Sequence, residues 1–154
     1  ADTLIGGAGA DTIEGGEGDD VVLVASSDGM LDVIDAGAGQ DTLVNSAAAT
    51  LTLAGFSPSN GIEVVNGNAH AIYGTTTTTT PVTNIDNLLD FSAVHFLGVT
   101  SVNGLAGNDT IRGSLDSDIL LGDVGDDSLE GGEGDDRLDG GVGNDVHCRL
   151  SEWG

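Results

Sequence analysis

Five nine-residue units follow one another without a break: Gly104 to Arg112, Gly113 to Leu121, Gly122 to Glu130, Gly131 to Asp139 and Gly140 to Cys148. Each is a form of the pattern G-G-x-G-x-D-x-U-x, with Gly first and Asp sixth in all five and U apolar in all but the last. Self-similarity at a fixed short period outranks local propensity, because each unit must stack on its neighbours to bury anything. The glycines allow φ > 0 and close backbone approach, so the first six positions form a turn. The last three, such as Ser128-Leu129-Glu130, form a short strand whose alternation sends Leu129 to one face and its neighbours to the other. Ile111, Leu120, Leu129 and Leu138 all hold the eighth position, and stacking is expected to gather them into one interior ladder.

The N-terminus carries the same unit. Ala1 to Ile5 matches positions five to nine, and Gly6 to Glu14 and Gly15 to Leu23 are full repeats. After an insertion at Val24-Ala25-Ser26, Ser27 to Asp35 keeps Asp32 and Ile34 in register but has lost its glycines; Ala36 to Val44 restores the pattern with Asp41. Residues 45–103 abandon the nonapeptide. There Thr50–Leu53 and Ile62–Gly67 find echoes in Leu89–Phe91 and Val99–Gly104, β-branched runs closed by Asn-Gly turns. The apolar content of this stretch favours metal-poor bridging coils over a flexible linker. The expected organisation is therefore a repeat block over 1–44, bridging solenoid coils over 45–103, a second repeat block over 104–148, and a segment, 149–154, whose Leu150 and Trp153 could cap the coil. The Thr75–Thr80 run reads as an exposed loop.

Charge follows the repeats. Of 26 acids, ten lie in residues 1–44 and thirteen in 104–154, against three arginines, for a formal net charge of −23. Nucleic acid and anionic membrane surfaces need basic patches and are poor partners, and no apolar run is long enough to insert into a membrane. Cations are the natural counterpart. Five aromatic residues are too few for a thick core, whereas a solenoid buries only a thin file of small aliphatics per coil. The single Cys148 forbids an internal disulfide, leaving metal as the staple.

Ca²⁺ is a hard cation that takes six to eight oxygens from carboxylates and carbonyls, and a glycine-rich turn ending in Asp offers both. With these motifs the chain resembles the RTX (repeats-in-toxin) family, whose hemolysin-type nonapeptides bind calcium. The resemblance implies an all-β fold, a right-handed parallel β-roll in which two nonapeptides make one coil and each Ca²⁺ sits between turns two units apart. It further implies that carbonyls at positions one and three and the sixth-position Asp of one turn meet carbonyls at positions two and four and the Asp of the next. Carried over, the pairs are Asp109 with Asp127, Asp127 with Asp145 and Asp118 with Asp136 in the C-terminal block. In the N-terminal block they are Asp2 with Asp20, Asp20 with Asp41 and, less completely, Asp11 with Asp32. The implied carbonyl donors in the N-terminal block are Gly6, Ala8, Gly15, Gly16, Glu17, Gly18, Gly37 and Gly39. Those in the C-terminal block are Gly104, Ala106, Gly113, Leu115, Gly122, Asp123, Val124, Gly125, Gly131, Gly132, Gly134, Gly141 and Gly143.

No catalytic constellation accompanies these donors. His147-Cys148 lacks a second cysteine and a nearby histidine for a transition metal, and EF-hand loops, P-loops and nucleophile elbows do not occur. The expected protein is not an enzyme. It binds several Ca²⁺ ions, folds on binding them, and works outside a bacterial cell. Two roles fit: a structural unit of an adhesin, surface layer or filament that associates head to tail, or the module of a type I secreted protease, lipase or epimerase that aids export and folding. The partial first unit favours the former.

Overall fold

The apolar residue two places after each repeat Asp decides the architecture. The computed structural model describes residues 1–7, 9–25, 32–46, 51–53, 55–57, 60–73 and 85–148, and its elements are fifteen strands, β1 to β15 in chain order. The largest sheet runs β1 (Thr3–Ile5), β3 (Val21–Val24), β5 (Thr42–Asn45), β8 (Val64–Tyr73), β10 (His95–Ala106), β12 (Ile119–Val124) and β14 (Arg137–Asp139), with β6 (Leu51–Thr52) also on β8. The second comprises β7 (Gly55–Phe56), β9 (Leu88–Asp90), β11 (Thr110–Arg112), β13 (Ser128–Glu130) and β15 (Val146–Cys148). The third pairs β2 (Thr12–Glu14) with β4 (Val33–Asp35). Each pairing is parallel and joins one coil to the next, as in Thr3 opposite Val21 and Leu120 opposite Leu138. The molecule is a parallel β-solenoid.

In-register stacking builds files of buried and half-buried apolar side chains. Leu4, Val22, Leu43, Val65 and Phe96 form one file, and Leu51, Ile72, Val102, Leu120 and Leu138 a second. Phe56, Leu89, Ile111 and Leu129 form a third. The eighth-position residues therefore do not make one ladder. Because nine residues are half a coil, Ile111 and Leu129 enter from one sheet and Leu120 and Leu138 from another. Ile111 and Leu120 are fully buried, and burying such a side chain is worth about 1.5–3 kcal/mol.

The middle coils are wider. The first residues of β8 and β10 (Val64–Asn66 and His95–Leu97) continue the file begun on β1, whereas their last residues lie with β6 and β12. A register shift between Leu97 and Val102 makes the corner. The coils thus gain a third side, and the C-terminal block stacks on the side that starts at β6. A wider interior needs larger side chains: Phe91 stacks on Phe56 at 4.6 Å and meets Phe96 edge-on at 5.0 Å. The echoing runs do not pair with one another. Val64–Asn66 pairs with His95–Leu97, not with the Val99–Gly104 run, and Leu51 lines up with Ile72, not Leu89. Two β-branched runs of like composition leave register to the corner geometry, which the pattern alone does not encode.

At the other end, His147 sits opposite Leu129 and β15 still pairs with β13, so the backbone ladder outlasts the aliphatic file by one strand. Ala8, the Thr75–Thr80 run and the Leu150–Trp153 segment lie outside the described residues. Among those described, no helix is long and apolar enough to cross a membrane.

Candidate metal sites in the stacked turns

The strand before each turn and the strand after it are locked into parallel ladders, so the sixth-position acids are stacked one per coil along each edge of the solenoid. In six pairs the later acid uses Oδ1 to accept the backbone N–H of the acid one coil earlier. Asp20 N–H donates to Asp41 Oδ1 at 2.8 Å, Asp109 to Asp127 at 2.7 Å, Asp127 to Asp145 at 3.0 Å and Asp118 to Asp136 at 3.0 Å. Asp2 donates to Asp20, and Asp11 to Asp32 at 3.0 Å. All six pairs expected from the sequence are therefore adjacent, including Asp11 with Asp32, whose turn has lost its glycines.

The second oxygen is another matter. Oδ2 of Asp11, Asp20, Asp41, Asp109 and Asp127 is buried without any hydrogen-bond partner. Asp20 has the Ala1 ammonium 3.4 Å from its Oδ1, but no basic group among the described residues pairs with the other four. A buried carboxylate without a counter-charge costs several kcal/mol, so these oxygens call for a cation. Their direction is set by the stack: Asp20 Oδ2 lies 2.9 Å from the point where a Cβ on Gly15 would sit, a point the carbonyl oxygen of Ala36 in the next coil also crowds. Asp127 Oδ2 and the Gly140 carbonyl likewise share the space over Gly122. Oδ1 thus faces the preceding coil, while Oδ2 lies over the first glycine of its own turn, beside a carbonyl of the following one. Among the described residues no three His, Cys, Asp or Glu side chains converge, so an ion in such a step draws the rest of its shell from turn carbonyls, the donor set of a hard cation.

The turn backbones carrying the expected carbonyl donors lie directly on one another: Gly39 on Gly18, Gly134 on Asp116, Gly141 on Asp123 and Gly143 on Gly125. Several of those carbonyls already accept an N–H across the step. Gly16 accepts from Ala38, Asp123 from Val142, Val124 from Gly107 and Ala106 from Ile85. A carbonyl oxygen has a second lone pair, so each can still face a cation. The backbone has φ +79° at Leu105 and +73° at Asp123, second positions where other turns have glycine. A left-handed non-glycine costs about 1–2 kcal/mol, and hydrogen bonds through Asn103 to both residues offset part of that.

The Gly113 turn departs from the pattern. Ser114 replaces the second glycine, and its N–H and hydroxyl both donate to Asp118, at 2.6 Å and 3.1 Å, so that carboxylate has internal partners. Position five departs as well: although exposed, Asp126 Oδ1 accepts the N–H of Asn144 at 2.8 Å, and Asp19 accepts that of Gln40 at 2.9 Å, forming an outer ladder. Two residues at the block edges escaped the sequence pattern. Glu63 accepts the Asp41 N–H at 2.7 Å, and Asn87 donates its own N–H to Asp109 at 2.7 Å, so both occupy sixth-position rungs. The signal was there in an acid or amide immediately before a β-branched or leucine pair, but without the glycines no nonapeptide frame pointed to it. On the outer face Arg112 spans Asp90 and Glu130 at 2.8 and 3.1 Å.

Burial shapes the acid–base behaviour of the ladder. It raises Asp109 and Asp127 above the ordinary 3.8 against the hydrogen bonds they accept, and pushes Asp118 up to about 6. Asp90 goes the other way, because Ser92 and Arg112 outweigh its desolvation. Where the folded value exceeds the unfolded one, the fold favours the protonated form. That contribution is complete below about 4 and is lost as pH rises through about 6, roughly 3 kcal/mol for Asp118. Metal-free protein is therefore expected to gain strand signal by circular dichroism as pH falls from 7 to 5. Ca²⁺ affinity should weaken over the same interval, since protons and Ca²⁺ compete for the same oxygens. A metal-free signal that falls on acidification contradicts this.

Parallel coils, acids stacked at the turns and carbonyl-rich steps define a calcium-binding β-solenoid. The RTX calcium-binding nonapeptide repeat is matched in four copies, at residues 1–29, 32–47, 98–129 and 113–146, more than half of the chain. The chain belongs to that family, which binds Ca²⁺ in its repeat turns. No curated protein and no solved structure matches it.

Proposed function

We propose that this chain is a secreted bacterial structural module that is disordered until extracellular Ca²⁺ loads its turns and then becomes a rigid rod. The observation that carries this reading is the set of buried, partnerless carboxylate oxygens stacked along the solenoid. The sequence-derived ligands are assigned on that basis, with blocks 1–44 and 104–148 taking the ions and residues 45–103 transmitting stiffness between them. Rigidity without disulfides suits a surface layer, adhesin or filament. Head-to-tail association is supported by β1, β14 and β15, which among the described residues pair on one side only, beside exposed Ile5, Val142 and Val146.

Two measurements on one sample test the proposal. A Ca²⁺ titration should have its midpoint between about 10⁻⁴ and 10⁻³ M, the range of extracellular modules; a submicromolar midpoint means folding inside the cell and overturns the extracellular role. Light scattering at saturating Ca²⁺ should show Ca²⁺-dependent oligomers. A strict monomer overturns self-association and leaves the role of a folding aid carried by a secreted enzyme.

A further inference from the structure

Beyond the last N-terminal nonapeptide, the turn stack goes on for one more coil. Gly61, with φ +74°, lies directly on Gly37, with φ +94°. The backbone pins this turn at both ends, Ala36 N–H to the Asn60 carbonyl at 2.8 Å and Val64 N–H to the Asp41 carbonyl at 3.1 Å, although it is shorter, with one residue between Gly61 and Glu63 where three lie between Gly37 and Asp41. Glu63 therefore stands where a repeat Asp would, and its carboxylate accepts the Asp41 N–H as Asp41 accepts that of Asp20.

Asp41 is fully buried, and its Oδ2 has no partner. The Asp20 N–H takes Oδ1, which leaves Oδ2 for the step that Glu63 closes from its other side by accepting the Asp41 N–H. Among the described residues no basic side chain pairs with either acid. Two carboxylates at one step, one of them buried and unsatisfied, require a positive charge. We propose that the step between Asp41 and Glu63 is an additional divalent-cation site, held by these two carboxylates and by carbonyls of the Ala36–Gly39 turn, inside the stretch whose sequence reads as metal-poor.

The matching step at the start of the C-terminal block is built differently. The Asn87 side-chain nitrogen donates to the Ile85 carbonyl at 2.9 Å, the Gly104 carbonyl at 3.2 Å and Asp109 Oδ1 at 2.9 Å. An amide that gathers two carbonyls and a carboxylate does what an ion does elsewhere in the stack. That step is closed by an internal donor, whereas the Asp41–Glu63 step presents only acceptors to its missing charge.

The inference rests on the reading of the repeat turns as Ca²⁺ sites, and ion counting separates the two. In Glu63→Gln the amide oxygen still accepts the Asp41 N–H while the charge is gone. Calorimetry, with metal analysis after dialysis against Ca²⁺, should find one ion fewer than in the wild type, with the strand signal at saturating Ca²⁺ retained. An unchanged count overturns the Glu63 site. The converse variant, Asn87→Asp, removes the internal donor and adds a carboxylate, and should bind one ion more; an unchanged count there overturns the assignment of the amide as a stand-in for the ion. Wild-type protein that binds no Ca²⁺ at all sinks the calcium reading itself and not this step alone.

Discussion

Chelation of Ca²⁺ at neutral pH is expected to abolish most of the strand signal of the chain, and titrating the ion back should restore it in one cooperative transition. The formal charge of −23 is opposed by three arginines, and at least five carboxylate oxygens are buried without a partner. Each uncompensated buried charge costs several kcal/mol, while a domain of this size has roughly 5–15 kcal/mol of stability in all. Without cations the ladder cannot stay closed. Cooperativity follows from sharing, because Asp20 lies between Asp2 and Asp41, and Asp127 between Asp109 and Asp145, so filling one step orders a carboxylate of the next. The sheet that runs from β1 to β14 carries the coupling along the chain. Circular dichroism of chelated protein decides it: β content that stays unchanged in excess chelator removes the link between ions and fold.

What could be read from the sequence was whatever the nine-residue period controls. The period fixes which acids stack, since a coil of two units returns Asp127 beneath Asp109 and Asp145 beneath Asp127 whatever the intervening residues are. It also survives a three-residue insertion, which only lengthens the coil: Val21 meets Thr42 in the same register that Thr3 makes with Val21. Where the period lapses, register depends on shape. The corner between Leu97 and Val102, the third side of the middle coils and the Phe56–Phe91–Phe96 cluster that fills them all come from side-chain volume and bulge geometry. Rungs can also be filled by residues of different chemistry once backbone pairing holds them in place. Glu63 and Asn87 are read as rungs only when the strands beside them are paired, and Ser114 as an internal partner for Asp118 only when its turn is seen.

Two neighbouring carboxylates provide the sharpest test of which oxygens face the ions. Asp127 is 2% exposed, accepts the Asp109 N–H, donates its own N–H to Asp145 and leaves Oδ2 buried. Asp126, one residue earlier, is exposed and accepts the Asn144 N–H through its side chain. Asp127→Ala removes a charged ligand shared by two steps. The loss of one partner from a buried charge pair costs about 3–5 kcal/mol, so Ca²⁺ affinity of the C-terminal block should fall about a hundredfold or more. Asp126→Ala removes an exposed hydrogen bond worth about 1 kcal/mol and a long-range attraction that salt screens, and should weaken binding less than about tenfold. The metal-free proteins should differ in the opposite sense. Burial and the charges of Asp109, Asp145 and Asp123 raise the pKa of Asp127, so its carboxylate opposes the closed stack when no ion is present. Removing it should increase residual structure in chelator, while Asp126→Ala should not. Calorimetric titration and circular dichroism of both variants read the two effects separately. Equal losses of affinity would mean that position five, not position six, faces the ions.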